Sequence, residues 1–222
     1  MKKKLLSALL CAAMVASLVI GCGQKEPAVE EPAATEEADE ENYETGDASL
    51  DNTRNQDEIG ENELLVVSFG TSFNDNRRLT IGAIEEKIEA AFPEYAVRRG
   101  FTSQIIIDHV MSRDNVKIDN VAEALDRAVA NGVKNLVVQP TLLMNGIEYE
   151  ELTTTLAEYS DSFESVTVGE PLLTSDEDFQ KVATAIVDAT AEYDDGKTAI
   201  VFMGHGTHHD SNAVYAKMQT VL

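Results

Sequence analysis

Cysteine and tryptophan are scarce in this chain of 222 residues, which has two cysteines and no tryptophan. Both cysteines, Cys11 and Cys22, lie at the start of the chain, so the remainder has no thiol for a disulfide or a thiolate metal site. Basic residues are also few, because 17 Lys and Arg stand against 40 Asp and Glu, for a formal net charge of −23. Such an acidic chain is not expected to bind nucleic acid non-specifically.

The first 22 residues have the pattern of an export signal. Lys2, Lys3 and Lys4 precede an apolar run over 5–20, which is too short for a typical membrane-spanning helix. The run ends in Val-Ile-Gly-Cys, which is similar to the bacterial lipobox, and this makes Cys22 the predicted site of lipidation. An ordinary signal peptide with a chance cysteine is the alternative. We therefore expect an exported lipoprotein that is attached to the membrane by its lipid.

Residues 23–62 form an acidic segment with few large apolar side chains. Glu, Asp, Ala, Pro, Thr and Asn dominate it, and they bury too little surface to offset the entropy of ordering. The segment is predicted to be a disordered linker between the signal and a folded domain.

From Glu63 onward, apolar runs of strand length alternate with segments of helical periodicity. This alternation predicts an α/β fold with a parallel sheet and right-handed crossovers, with residues 63–196 as a first domain. Strands are predicted over 64–68, 95–99, 135–139 and 165–168, and helices over 74–91, around 105–110, and over 119–130, 147–159 and 176–193.

The stretch Thr198–Tyr215 predicts a further strand, a turn and a helix. Residues 199–203 are apolar and typical of a strand buried on both faces. Gly204-His205-Gly206 then breaks the run, and residues 210–212 offer a cap for a helix that continues to the end of the chain.

This construction occurs twice in the chain. Val67-Ser68-Phe69-Gly70-Thr71 aligns with Met203-Gly204-His205-Gly206-Thr207, as in a duplicated α/β domain. We therefore expect two similar domains around a ligand cleft, with 197–222 as the start of the second. One strand and one helix cannot cover both faces of a sheet, so the chain is expected to be truncated or to be completed by another chain.

A series of motifs resembles the sirohydrochlorin cobaltochelatases of the anaerobic cobalamin route, the CbiK type. The resemblance covers Leu64 to the end, in order and with suitable spacing. The motifs are L-L-V-V-S-F-G-T-S at 64–72, A-F-P-E at 91–94, F-T-S at 101–103, V-V-Q-P at 137–140, N-G-x-E-Y-E at 145–150, G-x-P-L-L at 169–173 and V-F-M-G-H-G at 201–206. The resemblance implies two similar α/β domains around a tetrapyrrole cleft. It also implies insertion of Co²⁺, or another divalent ion such as Fe²⁺, into sirohydrochlorin with loss of two pyrrole protons. No cofactor beyond the substrate metal is implied.

The resemblance also implies roles for individual residues. His205 matches the histidine of the family's G-H-G motif and is expected to be both proton acceptor and metal ligand. Glu148 is expected to assist proton removal or tune the cleft, although the favourable dipole of a helix N-terminus also explains a glutamate there. Ser68, Phe69 and Thr71 are expected to line the substrate side, although turn and cap chemistry alone also accounts for them.

Three features depart from the family's pattern. Leu142 stands in the segment after V-V-Q where the family commonly has a histidine. The family's remaining metal ligands, a glutamate and a second histidine, lie beyond the helix that follows G-H-G, and the given sequence ends before that point. Cobalamin synthesis is cytoplasmic, whereas this chain is predicted to be exported and lipid-anchored. A non-catalytic cell-surface lipoprotein that binds a tetrapyrrole or a metal therefore remains an alternative, and a homo-oligomer is compatible with either function.

Other polar residues have less specific explanations. His208 and His209 are either extra metal ligands or exposed loop residues, and His109 is expected to be structural. Two pairs of adjacent arginines, at 77–78 and 98–99, are the densest basic groups of the domain. At most one arginine of each pair is expected to bind substrate carboxylates, because adjacent side chains point in different directions.

Overall fold

The computed structural model describes residues 44–222, so the predicted signal, Cys22 and the start of the predicted linker lie outside the described residues. Helix α1 starts as Asn74–Arg77, passes through a π-helical turn over Arg78–Gly82 and continues as Ala83–Ala91. The remaining elements are strands β1 (Asn62–Ser68), β2 (Ala96–Phe101), β3 (Asn135–Pro140) and β4 (Ser165–Val168), with helices α2 (Gln104–Asp114), α3 (Val121–Ala130), α4 (Ile147–Glu158), α5 (Asp176–Thr190) and α6 (Ala213–Val221). Within 44–222, no helix has the length and apolar character needed to cross a bilayer.

The four strands form one parallel sheet in the order β2-β1-β3-β4. This arrangement confirms the predicted α/β class with a parallel sheet. The sequence also predicted each strand and each of the helices α1 to α6, with boundaries that differ by a few residues. Helix α3, for example, begins after a capping box in which Asn120 and Glu123 bond each other's backbone N–H groups, so its start lies at Val121.

Strand β1 is the centre of the core because helices cover both of its faces. Leu65 and Val67 pack in an apolar cluster with residues of α3 and α4, including Leu125 and Leu152. The alternate residues Leu64 and Val66 pack on the opposite face with Val97 and with Ile88 of α1. A strand buried on both faces is expected in a parallel sheet, which explains the unbroken apolar sequence of β1.

The predicted strand over 199–203 does not form. These residues have no regular secondary structure, and the side chains of Val201 and Met203 are 85% and 96% exposed. A strand requires a hydrogen-bonded neighbour, and among the described residues β4 pairs only with β3. The sequence identified the apolar run correctly, but it could not show that no strand lies beside it in residues 44–222.

The described part of the predicted linker, from residue 44 onward, is ordered, which corrects the expectation of disorder for this part of 23–62. Residues 44–61, here called the N-terminal strap, lie against α1 and β2. The Asp75 amide donates to the Thr45 carbonyl at 2.8 Å, and the Arg99 amide donates to the Arg54 carbonyl at 3.2 Å. A short 3₁₀ helix over Ala48–Leu50 is capped by the side chain of Asp47. The polar composition predicts disorder because the partners of these polar side chains lie elsewhere in the chain.

Those partners are buried arginines. Asp51 of the strap accepts hydrogen bonds from Arg77 at 2.6 Å and from Arg99 at 2.7 Å, and Arg99 also pairs with Glu85 at 2.7 Å. Burial opposes ionisation of Asp51, but the bonds from Arg99 and Arg77 outweigh it and lower the pKa of the carboxyl. Arg54 also pairs with Glu85, at 3.2 Å. The strap is therefore held by a network of fully desolvated charges.

Glu63 presents the opposite situation at the start of β1. Its side chain is fully buried, and neither carboxyl oxygen has a hydrogen-bond partner among the described residues. The nearby Arg98 donates instead to the backbone carbonyls of Arg54 and Gln56. Burial raises the pKa of Glu63 to about 7. Arg98 and Arg127 lower this pKa and Asp119 raises it slightly, but burial outweighs the two arginines.

We predict that Asp51→Asn destabilises the chain by about 3 kcal/mol, because it leaves buried arginine charge unneutralised. The matched control is Asp75→Asn, since Asp75 pairs with Arg78 at the surface at 3.3 Å. The control is expected to change the free energy of unfolding by about 0.5 kcal/mol or less. Urea denaturation measures the free energy of unfolding of both variants. If Asp51→Asn and Asp75→Asn lower it by the same small amount, the strap contributes little to stability.

We predict that Glu63→Gln removes a pH-dependent loss of stability. The pKa of Glu63 rises from 4.5 to about 7 on folding, so its stabilising contribution is complete below pH 4.5 and is lost as the pH rises through 7. The variant should gain about 3 kcal/mol over the parent chain between pH 4 and pH 8. Urea denaturation across this range measures the difference. The control is Glu61→Gln, at an exposed pair with Lys134, which should change the free energy of unfolding by about 0.5 kcal/mol or less at each pH. A Glu63→Gln chain that follows the parent's pH curve would contradict the prediction.

Candidate active site

The ends of three strands meet at one edge of the sheet and bring the sequence motifs together. The Thr102 amide donates to the Ser68 carbonyl at 2.9 Å, and the Ser103 amide donates to the Phe69 carbonyl at 3.2 Å. On the other side of β1, the Thr141 amide donates to the Val67 carbonyl at 2.8 Å. The carboxyl edge of a parallel sheet is where such folds bind ligands, so this edge is the candidate site.

The structure also joins the motifs that follow β3 and β4. The Leu172 amide donates to the carbonyl of Leu142 at 3.0 Å, and the Leu173 amide donates to that of Leu143 at 2.9 Å. The G-x-P-L-L segment therefore lies along the segment that follows V-V-Q-P. Leu142 is half-buried, and its backbone carbonyl accepts one of these hydrogen bonds.

The three residues expected to line the substrate side differ in accessibility. Ser68 is buried, and its hydroxyl lies 2.7 Å from the hydroxyl of Thr141. Thr71 is used in a turn, where its hydroxyl accepts from the Phe73 amide and its carbonyl accepts from Arg77. Phe69 is 49% exposed and has an available surface. Substrate binding by these residues remains a prediction, and Phe69 has the most suitable placement.

Glu148 lines a cleft between the end of β2, the start of α3 and helix α4. The cleft has a volume of about 240 Å³, and its lining includes Glu151, Thr102, Asn120 and Thr155. The hydroxyl of Thr102 is buried and has no hydrogen-bond partner among residues 44–222. The F-T-S motif does not by itself single out Thr102, since only the fold shows that this residue lines the same cleft as Glu148 and that its hydroxyl is buried.

Backbone conformation and packing define the turn that carries His205. Gly206 has a φ of +77°, and the aligned Gly70 has a φ of +104°, so both turns use the left-handed region that favours glycine. At Gly204 a Cβ would approach the ring of Tyr215 to 2.5 Å. The G-H-G sequence thus combines a close approach with a positive φ, and His205 is the exposed side chain between them.

The hydrogen bond of His205 selects its tautomer. Its Nδ1 lies 2.7 Å from the carbonyl oxygen of Gly206. Because a carbonyl can only accept, Nδ1 of the neutral ring carries the proton, and Nε2 keeps a lone pair. An imidazole oriented in this way through one nitrogen can bind a metal or a proton through the other.

The arginines predicted to include substrate ligands are largely committed to the protein. Arg77, Arg98 and Arg99 are buried, and their partners are carboxylates and backbone carbonyls. Arg78 is partly exposed and pairs with Asp75. The prediction allows at most one arginine of each pair to bind substrate carboxylates, and at 98–99 neither side chain is exposed, because both are buried inside the fold.

Metal ligands are sparse in the part of the chain that the structure describes. No group of three or more His, Cys, Asp or Glu side chains there is arranged to hold a metal ion. His209 lies against Glu150, with its Nε2 3.2 Å from a carboxylate oxygen. His205 and Glu148, the two predicted catalytic residues, therefore lie on two segments that this pair links.

Comparison with known proteins agrees with this collection of motifs at one edge of the sheet. A family model described as cobalt chelatase (CbiK) matches residues 62–222. The chain belongs to the CbiK cobalt chelatase family. The sirohydrochlorin cobaltochelatase of Salmonella typhimurium is 35% identical over 153 residues, which are 69% of this chain and 58% of the relative. The sirohydrochlorin cobaltochelatase CbiKC of Nitratidesulfovibrio vulgaris is 29% identical over 161 residues, 72% of this chain and 56% of the relative.

The family assignment confirms the resemblance that the motifs carried. The match begins at residue 62, where β1 begins, and the N-terminal strap precedes it. The chain spans somewhat more than half the length of the two curated relatives. Neither comparison assigns a role to a residue, so the roles of His205, Glu148, Ser68, Phe69 and Thr71 remain predictions.

Proposed function

We propose that this chain takes part in inserting Co²⁺ into sirohydrochlorin, as a cobaltochelatase of the CbiK family. The observation that carries the proposal is the exposed His205, whose Nδ1 is engaged by the Gly206 carbonyl and whose Nε2 keeps its lone pair. Family membership over residues 62–222 supports the reaction class. The names of the two relatives support the choice of metal and tetrapyrrole.

The reaction exchanges one divalent cation for two protons. The metal forms bonds to the ring nitrogens, and the two pyrrole N–H protons leave, so no oxidant, reductant or nucleotide is needed. Nε2 of His205 can bind the incoming cation and can accept a proton once the cation has moved to the macrocycle. One imidazole is a weak site for a divalent ion, and weak binding suits a ligand that must release its metal.

The acidic lining of the cleft favours the same reaction. Glu148 and Glu151, near the start of α4, line the cleft together with Thr102, whose hydroxyl is buried. Carboxylates attract a divalent cation and can pass a released proton to solvent. They also repel the carboxylates of sirohydrochlorin, so we propose that the macrocycle lies toward Phe69 and that Glu148 faces the side from which the metal arrives.

We predict that His205→Ala reduces Co²⁺ insertion by at least about 100-fold, because it removes both a proton acceptor and a ligand. The assay follows insertion into sirohydrochlorin by absorbance with the purified chain. His208→Ala is the matched control, since His208 is an exposed neighbour in the same loop, and it should retain the parent's rate. Nitrogen-15 NMR of the parent should show His205 protonated at Nδ1.

The same assay separates insertion from binding alone. Tight binding of the tetrapyrrole without insertion would support the alternative, a cell-surface protein that binds tetrapyrrole or metal. Leu142, at the place where the family commonly has a histidine, favours that alternative. Equal insertion by the parent and His205→Ala chains would contradict the role of His205. Replacing Co²⁺ by Fe²⁺ in the assay determines which metal the chain accepts.

We also propose that the chain is exported and attached to the membrane through a lipid on Cys22. Lys2 to Lys4, the apolar run over 5–20 and the Val-Ile-Gly-Cys sequence support this location. Fatty-acid labelling of the chain in cells should be lost in Cys22→Ser and kept in Cys11→Ser. Equal labelling of the two variants would contradict the proposal.

A further inference from the structure

The loop that follows the His205 turn is fastened to the start of α4. His209 Nε2 lies 3.2 Å from Glu150 Oε1, between side chains that are 23% and 62% exposed. Glu150 is two residues from Glu148, and His209 is four residues from His205. This contact links the segment that carries the proposed proton acceptor to the helix that carries the proposed acidic residue.

The orientation of His209 is determined at both ring nitrogens. The Ser211 amide donates to Nδ1 at 3.1 Å, and the Ser211 hydroxyl lies 3.0 Å from the same nitrogen. Because a backbone amide can only donate, Nδ1 accepts, and the proton of the neutral ring is on Nε2. Nε2 therefore donates to Glu150. The ring is held from within the loop on one side and by α4 on the other.

The loop transmits this contact toward His205 through its own hydrogen bonds. The His209 amide donates to the Thr207 hydroxyl at 3.2 Å, and the Thr207 amide donates to the Asn212 side chain at 3.2 Å. Thr207 directly follows Gly206, whose carbonyl accepts from His205. A displacement of His209 would therefore reach His205 through a short, hydrogen-bonded piece of backbone.

Helix α6 is attached to α5 by separate contacts, so the attachment of the loop to α4 can be tested without disturbing α6. Lys217 pairs with Asp176 of α5 at 2.6 Å and lies 4.1 Å from the centre of the Phe179 ring. Among the described hydrogen bonds of the loop, the one from His209 to Glu150 reaches α4. Removing it should free the loop while α6 stays on α5.

We propose that His209 and Glu150 form a positioning contact that sets the location of His205 relative to Glu148 during metal insertion. This inference rests on the proposed function. Neither residue is required to touch the metal or the tetrapyrrole. The contact acts by holding the imidazole of His205 in place, which contributes to the rate of the chemical step more than to substrate binding.

The kinetic test compares truncated and conservative variants in the purified full chain. His209→Ala and Glu150→Ala should each lower kcat for Co²⁺ insertion by about fivefold, as expected for one partly exposed contact, with little change in KM. The double variant should be no slower than either single one, because both remove the same contact. His209→Gln and Glu150→Gln keep a donor and an acceptor and should recover most of the rate. Glu177→Ala, which removes an exposed pair with Lys181 on α5, should leave kcat unchanged.

A second measurement does not depend on turnover. Hydrogen exchange at the amides of Thr207 and His209, measured by NMR, should be about fivefold faster in the two alanine variants and near the parent's rate in the glutamine variants. Unchanged exchange in the alanine variants would overturn the contact itself. If the parent chain is active and the alanine variants exchange faster but keep the parent's kcat, the positioning role of the contact would be overturned. A parent chain that inserts no cobalt would refute the proposed function and with it the positioning role, while exchange would still decide whether the contact holds the loop.

Discussion

A parallel strand inside a sheet must be covered on both faces, and β1, which lies between β2 and β3, is such a strand. Its adjacent residues Leu64 and Leu65 pack in different clusters, Leu64 toward α1 and Leu65 toward α3 and α4. Because the neighbouring strands run in the same direction, their carboxyl ends reach the same edge as Ser68. The candidate site is a consequence of this burial, since the loops that carry the motifs have to leave the sheet at that edge.

Charge inside the fold is tolerated because it is neutralised locally. Arg77 and Arg99 extend into the layer between the sheet and α1, where Asp51 and Glu85 pair with them. Of these two carboxylates, Asp51 belongs to the N-terminal strap, which lies before the residues that match the family. Glu63 is buried without such a partner among the described residues, and burial raises its pKa. The same acidic composition therefore gives a stabilising contact at one position and a pH-dependent cost at another.

At the candidate site, backbone conformation and hydrogen bonds determine the position of a histidine. His205 is placed by a turn whose glycines permit a positive φ and a close approach by Tyr215. Its neighbour His209 connects the turn to α4, whose first residues carry the acidic lining of the cleft. A neutral imidazole with a lone pair on Nε2 and a pair of carboxylates suits the exchange of a divalent cation for protons. This chemistry agrees with membership of a cobalt chelatase family.

The sequence by itself determined the class of fold, the family and the candidate residues, because strand and helix periodicity are local and the motifs keep their order along the chain. Only the tertiary structure decided which polar residues are buried partners and which remain available. The strap looked disordered because Asp51 finds its arginines 26 and 48 residues away. The run over 199–203 looked like a strand because a sequence shows apolar character but not whether a neighbouring strand is present to bond it. Thr102 and the pair His209–Glu150 could not be predicted for the same reason, since their significance lies in contacts between distant segments.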